Sequence, residues 1–326
     1  MIQRPFKPLF KNPHLQTIIA SKCNLPRYIT SQTYDIPTTE GDQLTCDLIT
    51  PPAITNKHLS IILHGLCGSS HATYVTRLTK QLRQQGMTIA CLNFRGCNKG
   101  PLKAKGLAHS GRSEDLAACL QFIKSKYPDY VYSIVGFSLG GNIALKFAAE
   151  LTQQDHLNIR QIIAICPPVD LTACANMMEH PKNRIFRRYF SKHLNKIVQK
   201  RHLTYPELGP APIFSRNVGF WQFDESYTAP QSGFKSAQDY FNQCSTIDQL
   251  DQIALPCHIL MAADDPFIDH TKIARKTLPK NIHYHQTDHG GHLGFLANPL
   301  AHQTYRWLDK QITAWILQCP QHQADF

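Results

Sequence analysis

The sequence predicts an α/β protein in which a mostly parallel β-sheet carries helices on both faces. Three observations lead to this prediction. Short β-rich runs alternate with amphipathic segments of helical spacing, which is typical of βαβ units. The alternation stops between residues 171 and 250, where the chain becomes basic, helical and aromatic. It resumes after residue 250, so we expect a helical cap inserted over the carboxyl edge of the sheet.

In the first half of the chain, the predicted strands are apolar runs that end in loops rich in glycine or proline. Ser113 is the predicted cap of the helix that it begins, because a serine side chain can accept a hydrogen bond from the first turn. In chain order, the predicted elements are a short helix within an irregular arm of residues 1–30, a hairpin of strands 31–36 and 44–49, strand 59–63, helix 74–85, strand 87–94, helix 113–126, strand 132–135, a helix after residue 138 and strand 161–166.

The last part of the chain returns to alternation, with strand 257–262, helix 270–278, strand 282–286 and helix 299–317. We therefore predict one domain in three parts. Residues 1–170 form the arm and the first part of the core, residues 171–250 form the cap, and residues 251–326 complete the core.

The composition is that of a chain with a large core, since 42% of its 326 residues are hydrophobic. The eleven cysteines form no Cys-x-x-Cys pair, so we expect no disulfide framework and a cytoplasmic location. The N-terminus lacks the apolar core of a signal peptide, and no apolar run reaches the roughly 18 to 20 residues of a membrane span. We expect a protein that is soluble or lies peripherally on the inner face of a membrane.

The charge of the chain is strongly positive, with a formal net charge of +11 and a pI of about 9.1. Part of the excess lies at helical spacing within residues 182–201. A basic face of this kind indicates either contact with anionic lipid headgroups or an ordinary solvated surface, and the sequence leaves both open.

The candidate nucleophile is Ser138. It lies in Gly136-Phe137-Ser138-Leu139-Gly140, between a β-rich run and a segment of helical spacing. In such a strand–turn–helix, glycines two residues on either side are needed because the turn is sharp, and the strained serine presents its hydroxyl at the end of the strand. A chance Gly-x-Ser-x-Gly lacks this context.

A serine hydroxyl needs a base and an orienting acid, and both candidates follow later strands. We prefer Asp265 to Asp264 as the acid, because the Asp-Pro-Phe-Ile order places it at the turn after the strand. We prefer His292 to His289 as the base, because the neighbouring glycines let the loop approach Ser138. The chain order serine, acid, histidine is that of one known triad arrangement.

The oxyanion hole needs two backbone donors, for which we predict the N–H groups of Leu66 and Leu139. His64 either orients the loop that contains Leu66 or is an ordinary turn histidine.

We predict neither a metal nor a cofactor. His283, His285, Asp288 and His289 are close in sequence, but no Cys/His spacing here fits a zinc site. Cys67 follows the predicted oxyanion loop without a strand-to-helix elbow, so we interpret it as a small apolar filler.

Several longer motifs accompany the candidate site, and together they span nearly the whole chain. They are Phe6-Lys7-Pro8, Asn12-Pro13-His14-Leu15-Gln16-Thr17, His64-Gly65-Leu66, Asn93-Phe94-Arg95-Gly96-Cys97, Gly136-Phe137-Ser138-Leu139-Gly140-Gly141-Asn142, Phe223-Asp224, Thr228-Ala229-Pro230, Gly233-Phe234, Asp264-Asp265-Pro266-Phe267 and His289-Gly290-Gly291-His292.

With these motifs the chain resembles the α/β-hydrolase superfamily and, within it, the YheT-like family, bacterial relatives of the eukaryotic abhydrolase-domain lipases and phospholipases. The resemblance implies a carboxylic ester hydrolase that acts on short- to medium-chain acyl esters or lipids. It also implies that Ser138, Asp265 and His292 are the catalytic residues.

The sequence thus predicts a cofactor-independent serine esterase whose substrate is a small-molecule or lipid ester. One alternative is an acyltransferase that uses the same three residues. Another is a non-catalytic protein that uses its positive charge to bind an anionic membrane or nucleic acid. We expect no nucleic-acid partner, because a pure binding protein does not require three loops that converge on one serine.

Overall fold

The structure is a computed structural model that describes residues 5–22, 29–97, 102–152 and 158–318. Within these residues, eight strands form one sheet in the order β1-β2-β4-β3-β5-β6-β7-β8. The pairs β1·β2 and β2·β4 are antiparallel, and the remaining neighbours are parallel. The strands are β1 Gln32–Pro37, β2 Gln43–Ile49, β3 His58–Leu63, β4 Thr88–Asn93, β5 Val131–Phe137, β6 Ile159–Ile165, β7 Cys257–Ala262 and β8 Ile282–Thr287.

Helices pack on both faces of this sheet. The α-helices of the described residues are α1 Pro13–Lys22, α2 Thr73–Gln84, α3 Ser113–Lys126, α4 Leu139–Glu150, α5 Leu171–Glu179, α6 Arg184–Thr204, α7 Phe220–Phe223, α8 Ala229–Gln231, α9 Ala237–Cys244, α10 Thr271–Arg275, α11 Pro299–His302 and α12 Trp307–Gln318.

The side chains of β4 show how the two faces of the sheet are covered. Ala90 and Leu92 belong to the core cluster that contains α3 and α4, whereas Ile89 and Cys91 belong to the cluster that contains α2 and α12. Alternate side chains of a strand point to opposite faces, so a strand covered on both sides is apolar throughout. The predicted fold class is confirmed.

The segment between β6 and β7 contains helices α5 to α9 and pairs no strand in its described residues. It forms two small apolar clusters of its own, one around Phe241 and one around Phe223. In the second cluster, Leu194 and Val198 of α6 pack against Val218. The apolar face of α6 is therefore turned inward.

The basic residues of α6 have different environments. Arg201 is buried and donates hydrogen bonds to the carbonyl of Lys105 at 2.6 Å and to the hydroxyl of Tyr227 at 2.8 Å. Arg187 pairs with Glu179 at 3.1 Å. The exposed basic residues of the helix are Arg184, Arg188, Lys192 and Lys196. Contact between this face and an anionic membrane stays a prediction.

Three local predictions differ from the structure. The predicted helix 299–317 is two helices, because Gln303 adopts a left-handed conformation that ends α11. The predicted helix 270–278 ends at Arg275, where Lys276 becomes extended three residues before Pro279. Ser113 does not cap α3: it is the first helical residue, and its hydroxyl donates to Glu150 instead.

Two further sequence expectations concern cysteines and the membrane. The nine cysteines within the described ranges are all free thiols. In the same part of the chain, none of the helices combines the length with the apolar character that a bilayer-crossing segment needs.

Candidate active site

Ser138 is the single residue between β5 and α4, and its backbone is strained. It has φ 52° and ψ −121°, a conformation that residues other than glycine rarely adopt. Its N–H donates to the carbonyl of Ile165 at 2.8 Å, and its own carbonyl accepts from the N–H of Gly141 at 2.8 Å. The flanking elements therefore hold the turn that presents the serine hydroxyl.

The glycines of the predicted turn are required by close backbone packing. A Cβ atom on Gly136 would lie 2.2 Å from the carbonyl oxygen of Gly140. A Cβ atom on Gly140 would lie 2.6 Å from the carbonyl oxygen of His64, in the loop after β3. The absence of side chains thus lets the elbow close and lets the loop after β3 lie against it.

Ser138, His292 and Asp265 form a continuous line of hydrogen bonds. His292 Nε2 lies 3.0 Å from Ser138 Oγ, and His292 Nδ1 lies 2.8 Å from Asp265 Oδ2. A carboxylate only accepts, so Nδ1 carries the proton and Nε2 is free to accept the hydroxyl proton of Ser138. This arrangement can activate a serine for attack on an electrophilic carbon.

Asp265 is held by its own loop. The residue is 4% exposed, and its Oδ1 accepts hydrogen bonds from the N–H groups of Phe267 and Ile268, each at 3.1 Å. The ring of Phe267 also packs on the imidazole of His292, with 4.2 Å between ring centroids. The carboxylate and the imidazole are therefore oriented before a ligand arrives.

The two alternatives from the sequence, Asp264 and His289, contact each other instead of Ser138. Asp264 Oδ2 lies 3.2 Å from His289 Nδ1, and Asp264 Oδ1 accepts from the N–H of Gly291 at 2.8 Å. They tie the loop that carries His292 to the loop that carries Asp265. The structure thus brings Asp265 and His292 to Ser138, whereas Asp264 and His289 hold together the two loops that carry these residues.

The predicted oxyanion donors belong to the loop after β3 and to the first turn of α4. The N–H of Gly65 donates to the hydroxyl of Tyr74 at 2.8 Å, which leaves Leu66 as the next donor in the loop after β3. Leu139 is the first residue of α4, where an N–H has no helical carbonyl to bond. Leu66 and Leu139 both line the same cavity as Ser138.

His64 orients the loop after β3. Its Nε2 accepts from the N–H of Phe94 at 3.2 Å, so its Nδ1 is the protonated nitrogen and donates to the carbonyl of Gly65 at 2.7 Å. The side chain is buried, and burial lowers the pKa of His64 to about 4. The loop that carries Leu66 is therefore held by a neutral imidazole.

This buried histidine predicts acid sensitivity. In the unfolded chain a histidine titrates near 6.5, so between about pH 6.5 and pH 4 the unfolded state binds a proton that the folded state excludes. As the pH is lowered through this window, we expect the free energy of unfolding to decrease, and His64 accounts for about 3 kcal/mol of that decrease. In urea titrations, the stability difference between the wild type and His64→Asn should shrink by that amount from about pH 7 to about pH 4. A difference that does not change with pH would contradict this origin.

A largely apolar cavity opens beside Ser138, with an empty volume of about 780 Å³. Its wall combines the two predicted oxyanion residues and the acid loop with residues of helices α5, α6, α7 and α9 and the turn between α7 and α8. The described residues that line it are Leu66, Ala108, His109, Ser110, Ser138, Leu139, Pro168, Leu171, Cys174, Ala175, Phe190, Leu194, Phe220, Phe223, Asp224, Thr228, Tyr240, Phe241, Phe267 and Ile268.

Comparison with known proteins assigns this arrangement to a family. Residues 61–299 match the family model described as the alpha/beta hydrolase fold, a span that contains Ser138, Asp265 and His292. The chain belongs to the α/β-hydrolase fold family. It is 30% identical over 313 residues to the "Putative esterase YheT" of Escherichia coli, with 94% of this chain and 91% of that protein covered.

More distant relatives of this hydrolase include two proteins of Saccharomyces cerevisiae. The medium-chain fatty acid ethyl ester synthase/esterase 2 is 29% identical over 73% of this chain, and the monoacylglycerol lipase is 27% identical over 76%. The chain spans 58% and 57% of the length of these two yeast proteins. The family assignment therefore extends to ester-cleaving relatives, as their names state.

Solved structures agree on the fold. The esterase Pf2001 of Pyrococcus furiosus superposes with a TM-score of 0.60 at 15% identity, covering 97% of this hydrolase and 98% of that chain. The α/β hydrolase GrgF of Penicillium superposes with a TM-score of 0.57 at 15% identity, covering 87% of this hydrolase and 99% of that chain. At these identities the likeness concerns the fold alone.

The N-terminal arm of the hydrolase supports His292, a role that the sequence reasoning missed. Thr17 Oγ1 accepts a hydrogen bond from the N–H of His292 at 2.9 Å. The side chain of Gln16 donates to the carbonyl of Leu296 at 3.1 Å and accepts from its N–H at 2.7 Å. Both residues lie in the Asn12–Thr17 motif, which was the sequence feature that could have indicated their importance. Nothing in the motif indicates that their partners lie near the other end of the chain.

Within the described residues, one group places three potential metal-ligand atoms within 4.8 Å of one another, and it consists of Cys166, Asp265 and His292. Asp265 and His292 already bond to each other there. Burial raises the pKa of the Cys166 thiol well above its usual range, so the sulfur is a protonated neighbour of Asp265. The group is thus part of the Ser138 site.

Proposed function

We propose that this protein is a serine hydrolase that cleaves carboxylic esters through an acyl-enzyme, with Ser138, His292 and Asp265 as its catalytic triad. One observation carries the proposal: the hydrogen-bonded line from Asp265 to Ser138 opens onto an apolar cavity that the two predicted oxyanion residues, Leu66 and Leu139, also line. Each part supplies a requirement of acyl transfer, namely a nucleophile, a base, an orienting acid and an oxyanion site.

In the first half of the proposed reaction, Ser138 Oγ attacks the ester carbonyl carbon while His292 Nε2 takes the hydroxyl proton. The carbonyl oxygen becomes negatively charged and accepts hydrogen bonds from the N–H groups of Leu66 and Leu139. His292 then gives its proton to the departing alcohol oxygen, and the carbon–oxygen bond of the ester breaks. Asp265 stabilises the imidazolium that exists between these two proton transfers.

In the second half, water replaces the alcohol. His292 Nε2 accepts a proton from the water as its oxygen attacks the acyl carbon, and the same oxyanion site holds the second tetrahedral intermediate. Collapse of that intermediate returns the proton to Ser138 Oγ and releases the carboxylic acid.

The lining of the cavity supports an apolar acyl chain. Aromatic and aliphatic side chains dominate it, which is typical of sites that bind small apolar molecules. Two relatives carry names that refer to medium-chain fatty acid ethyl esters and to monoacylglycerol. We propose acyl esters of short to medium chain as the substrate class.

Reaction with a fluorophosphonate tests the proposed nucleophile. We expect mass spectrometry to locate the adduct on Ser138, and the adduct to be lost in His292→Ala, because the hydroxyl is unreactive without its base. A panel of p-nitrophenyl esters of increasing acyl length then measures how long a chain the cavity accepts. Folded wild-type protein that is neither labelled nor active would contradict the proposal and favour the non-catalytic alternative.

Acyl transfer to an alcohol is the second candidate, since the acyl-enzyme can be attacked by an alcohol in place of water. The name of one yeast relative includes both synthase and esterase. Adding ethanol to the same assay separates the outcomes. Free acid as the main product supports hydrolysis, and an ethyl ester as the main product supports transfer.

A further inference from the structure

One wall of the apolar cavity is polar. Among the described residues that line the cavity, Asp224 carries the one carboxyl group. Around the same cavity lie the side chains of His109, Ser110, Thr228 and Tyr240. The mechanism above uses none of these five residues.

Asp224 is the first residue of an irregular helical turn. Residues Asp224–Thr228 form a π-helical turn in which the N–H of Ala229 donates to the carbonyl of Asp224, five residues earlier. Pro230 follows at once and has no N–H to continue an α-helix. Turns of this kind are frequent at functional sites because they turn one side chain out of the regular helical path.

The neighbours of Asp224 on this turn point to other partners. Glu225 is exposed and accepts a hydrogen bond from the N–H of Ala237 at 2.7 Å, which anchors α9. The hydroxyl of Tyr227 accepts from Arg201 at 2.8 Å. Of the two acidic side chains on the turn, Asp224 is therefore the one that faces the cavity.

The carboxyl group of Asp224 lies outside the ion pairs of the described residues. In the described ranges, the ion pairs with Lys, Arg or His within 4.0 Å do not include Asp224, and its side-chain partner is Thr228. Asp115, by contrast, is buried against Arg95 at 2.7 Å. Burial raises the pKa of Asp224 to about 7. Asp224 is half-buried, and a carboxyl group withdrawn from solvent without a cation contributes little to stability, so its position in the cavity indicates a role in ligand binding.

We propose that Asp224 is a recognition residue that accepts a hydrogen bond from a free hydroxyl group on the ester substrate. The hydrolase would then prefer esters that carry such a hydroxyl, as a partial ester of a polyol does, over matching esters without one. This inference rests on the proposed esterase function and adds a substrate class to it.

The other groups on the polar wall favour a hydroxyl over a cationic ligand. Tyr240 OH accepts from the N–H of Ser110 at 3.0 Å, and a phenol hydroxyl can donate as well as accept. His109 Nδ1 accepts from the N–H of Gly111 at 3.1 Å, so its Nε2 carries a hydrogen as well. A hydroxyl can both accept from such donors and donate to Asp224, whereas an ammonium group cannot accept.

The charges around His109 also favour a neutral hydroxyl over a cationic ligand. Burial, together with the positive charges of Arg112, Arg95 and Lys146, lowers the pKa of His109 to about 3 against the opposing effect of Glu40. A region that disfavours a protonated imidazole also disfavours a cationic headgroup.

Three esters with the same acyl chain test the proposal: 1-octanoylglycerol with free hydroxyls, methyl octanoate without one, and octanoylcholine with a cation. In Asp224→Leu, we expect kcat/KM for 1-octanoylglycerol to fall by about 10- to 100-fold, the loss of a hydrogen bond to a charged group. The kcat/KM for methyl octanoate should change by less than about threefold. The loss should lie mainly in KM, because the contact is made equally in the ground state and the transition state.

A conservative variant and a neighbouring control make the result specific. Asp224→Asn keeps an acceptor oxygen, so its kcat/KM for 1-octanoylglycerol should fall by only about three- to tenfold. If the leucine variant does not fold, the asparagine variant is used for the test instead. Glu225→Gln changes the adjacent exposed carboxylate and should leave the preference among the three esters unchanged.

The outcomes separate this inference from the proposed function. Equal losses on 1-octanoylglycerol and methyl octanoate would overturn the hydroxyl site while leaving the esterase intact. A selective loss on octanoylcholine would overturn the choice of a hydroxyl in favour of a cation. If the wild type cleaves none of the three esters and Ser138 is not labelled, the proposed function itself fails.

Discussion

Ser138→Ala is expected to lower kcat/KM for p-nitrophenyl esters by about 10⁴-fold or more, with thermal unfolding close to that of the wild type. The substitution removes the atom that forms the acyl-enzyme but keeps the Cβ and the strained backbone of the elbow. The residual rate should be the small acceleration that the oxyanion site and binding alone supply. Steady-state kinetics on the purified variant, with unfolding followed by circular dichroism, measure both effects.

Cys67→Ala is the matched control for Ser138→Ala. Cys67 directly follows Leu66, a predicted oxyanion donor, and is therefore a cysteine that could be mistaken for the nucleophile. Burial raises the pKa of its thiol well above the usual range, so it supplies no thiolate near neutral pH. We expect its activity to stay within about threefold of the wild type. Full activity in Ser138→Ala, or its loss in Cys67→Ala, would contradict the assignment.

Asp265→Asn is expected to lower kcat by about 10³- to 10⁴-fold with little loss of substrate affinity. The amide can still accept from Phe267 and Ile268, so the loop should keep its shape. Its NH₂ group, however, would donate to His292 Nδ1 and move the imidazole proton to Nε2. In that tautomer Nε2 cannot take the proton of Ser138, and single-turnover kinetics should show slow acylation.

Asp264→Asn is the control for Asp265→Asn, because it changes an adjacent carboxylate of the same loop. Asp264 contacts Gly291 and His289 rather than His292. We expect a loss of no more than about tenfold, from a less firmly held His292 loop. If the two variants were equally impaired, the division of roles between the two aspartates would be wrong.

Much of the candidate site was predictable because its signals are local. Gly136 is required by the close approach of Gly140, four residues later, so part of the elbow is encoded within the pentapeptide, whereas Gly140 is required by the loop after β3. The acid and the histidine follow strands β7 and β8, and parallel strands end at one edge of a sheet. Convergence of three distant loops could therefore be inferred without knowing any distance between them.

The boundaries of α10 and the division between α11 and α12 were not predictable in this way. Apolar residues at helical spacing continue through residues 299–317, and no glycine or proline marks the break after His302. The break depends on Gln303, a residue without a strong preference for the left-handed conformation that it adopts. Similarly, Ser113 has the identity of a helix cap, but a tertiary contact with Glu150 takes its hydroxyl.

By itself, the sequence determined the fold class, the elbow and the three residues that meet in it, because these follow from periodicity, glycine spacing and strand order. The tertiary structure alone decided the support of His292 by Thr17, the separate environments of Asp264 and Asp265, and the position of Asp224 in the cavity. Thr17 and His292 are 275 residues apart, and no local preference encodes a hydrogen bond over that distance. Such contacts exist only after the chain has packed, because packing selects which side chains become neighbours.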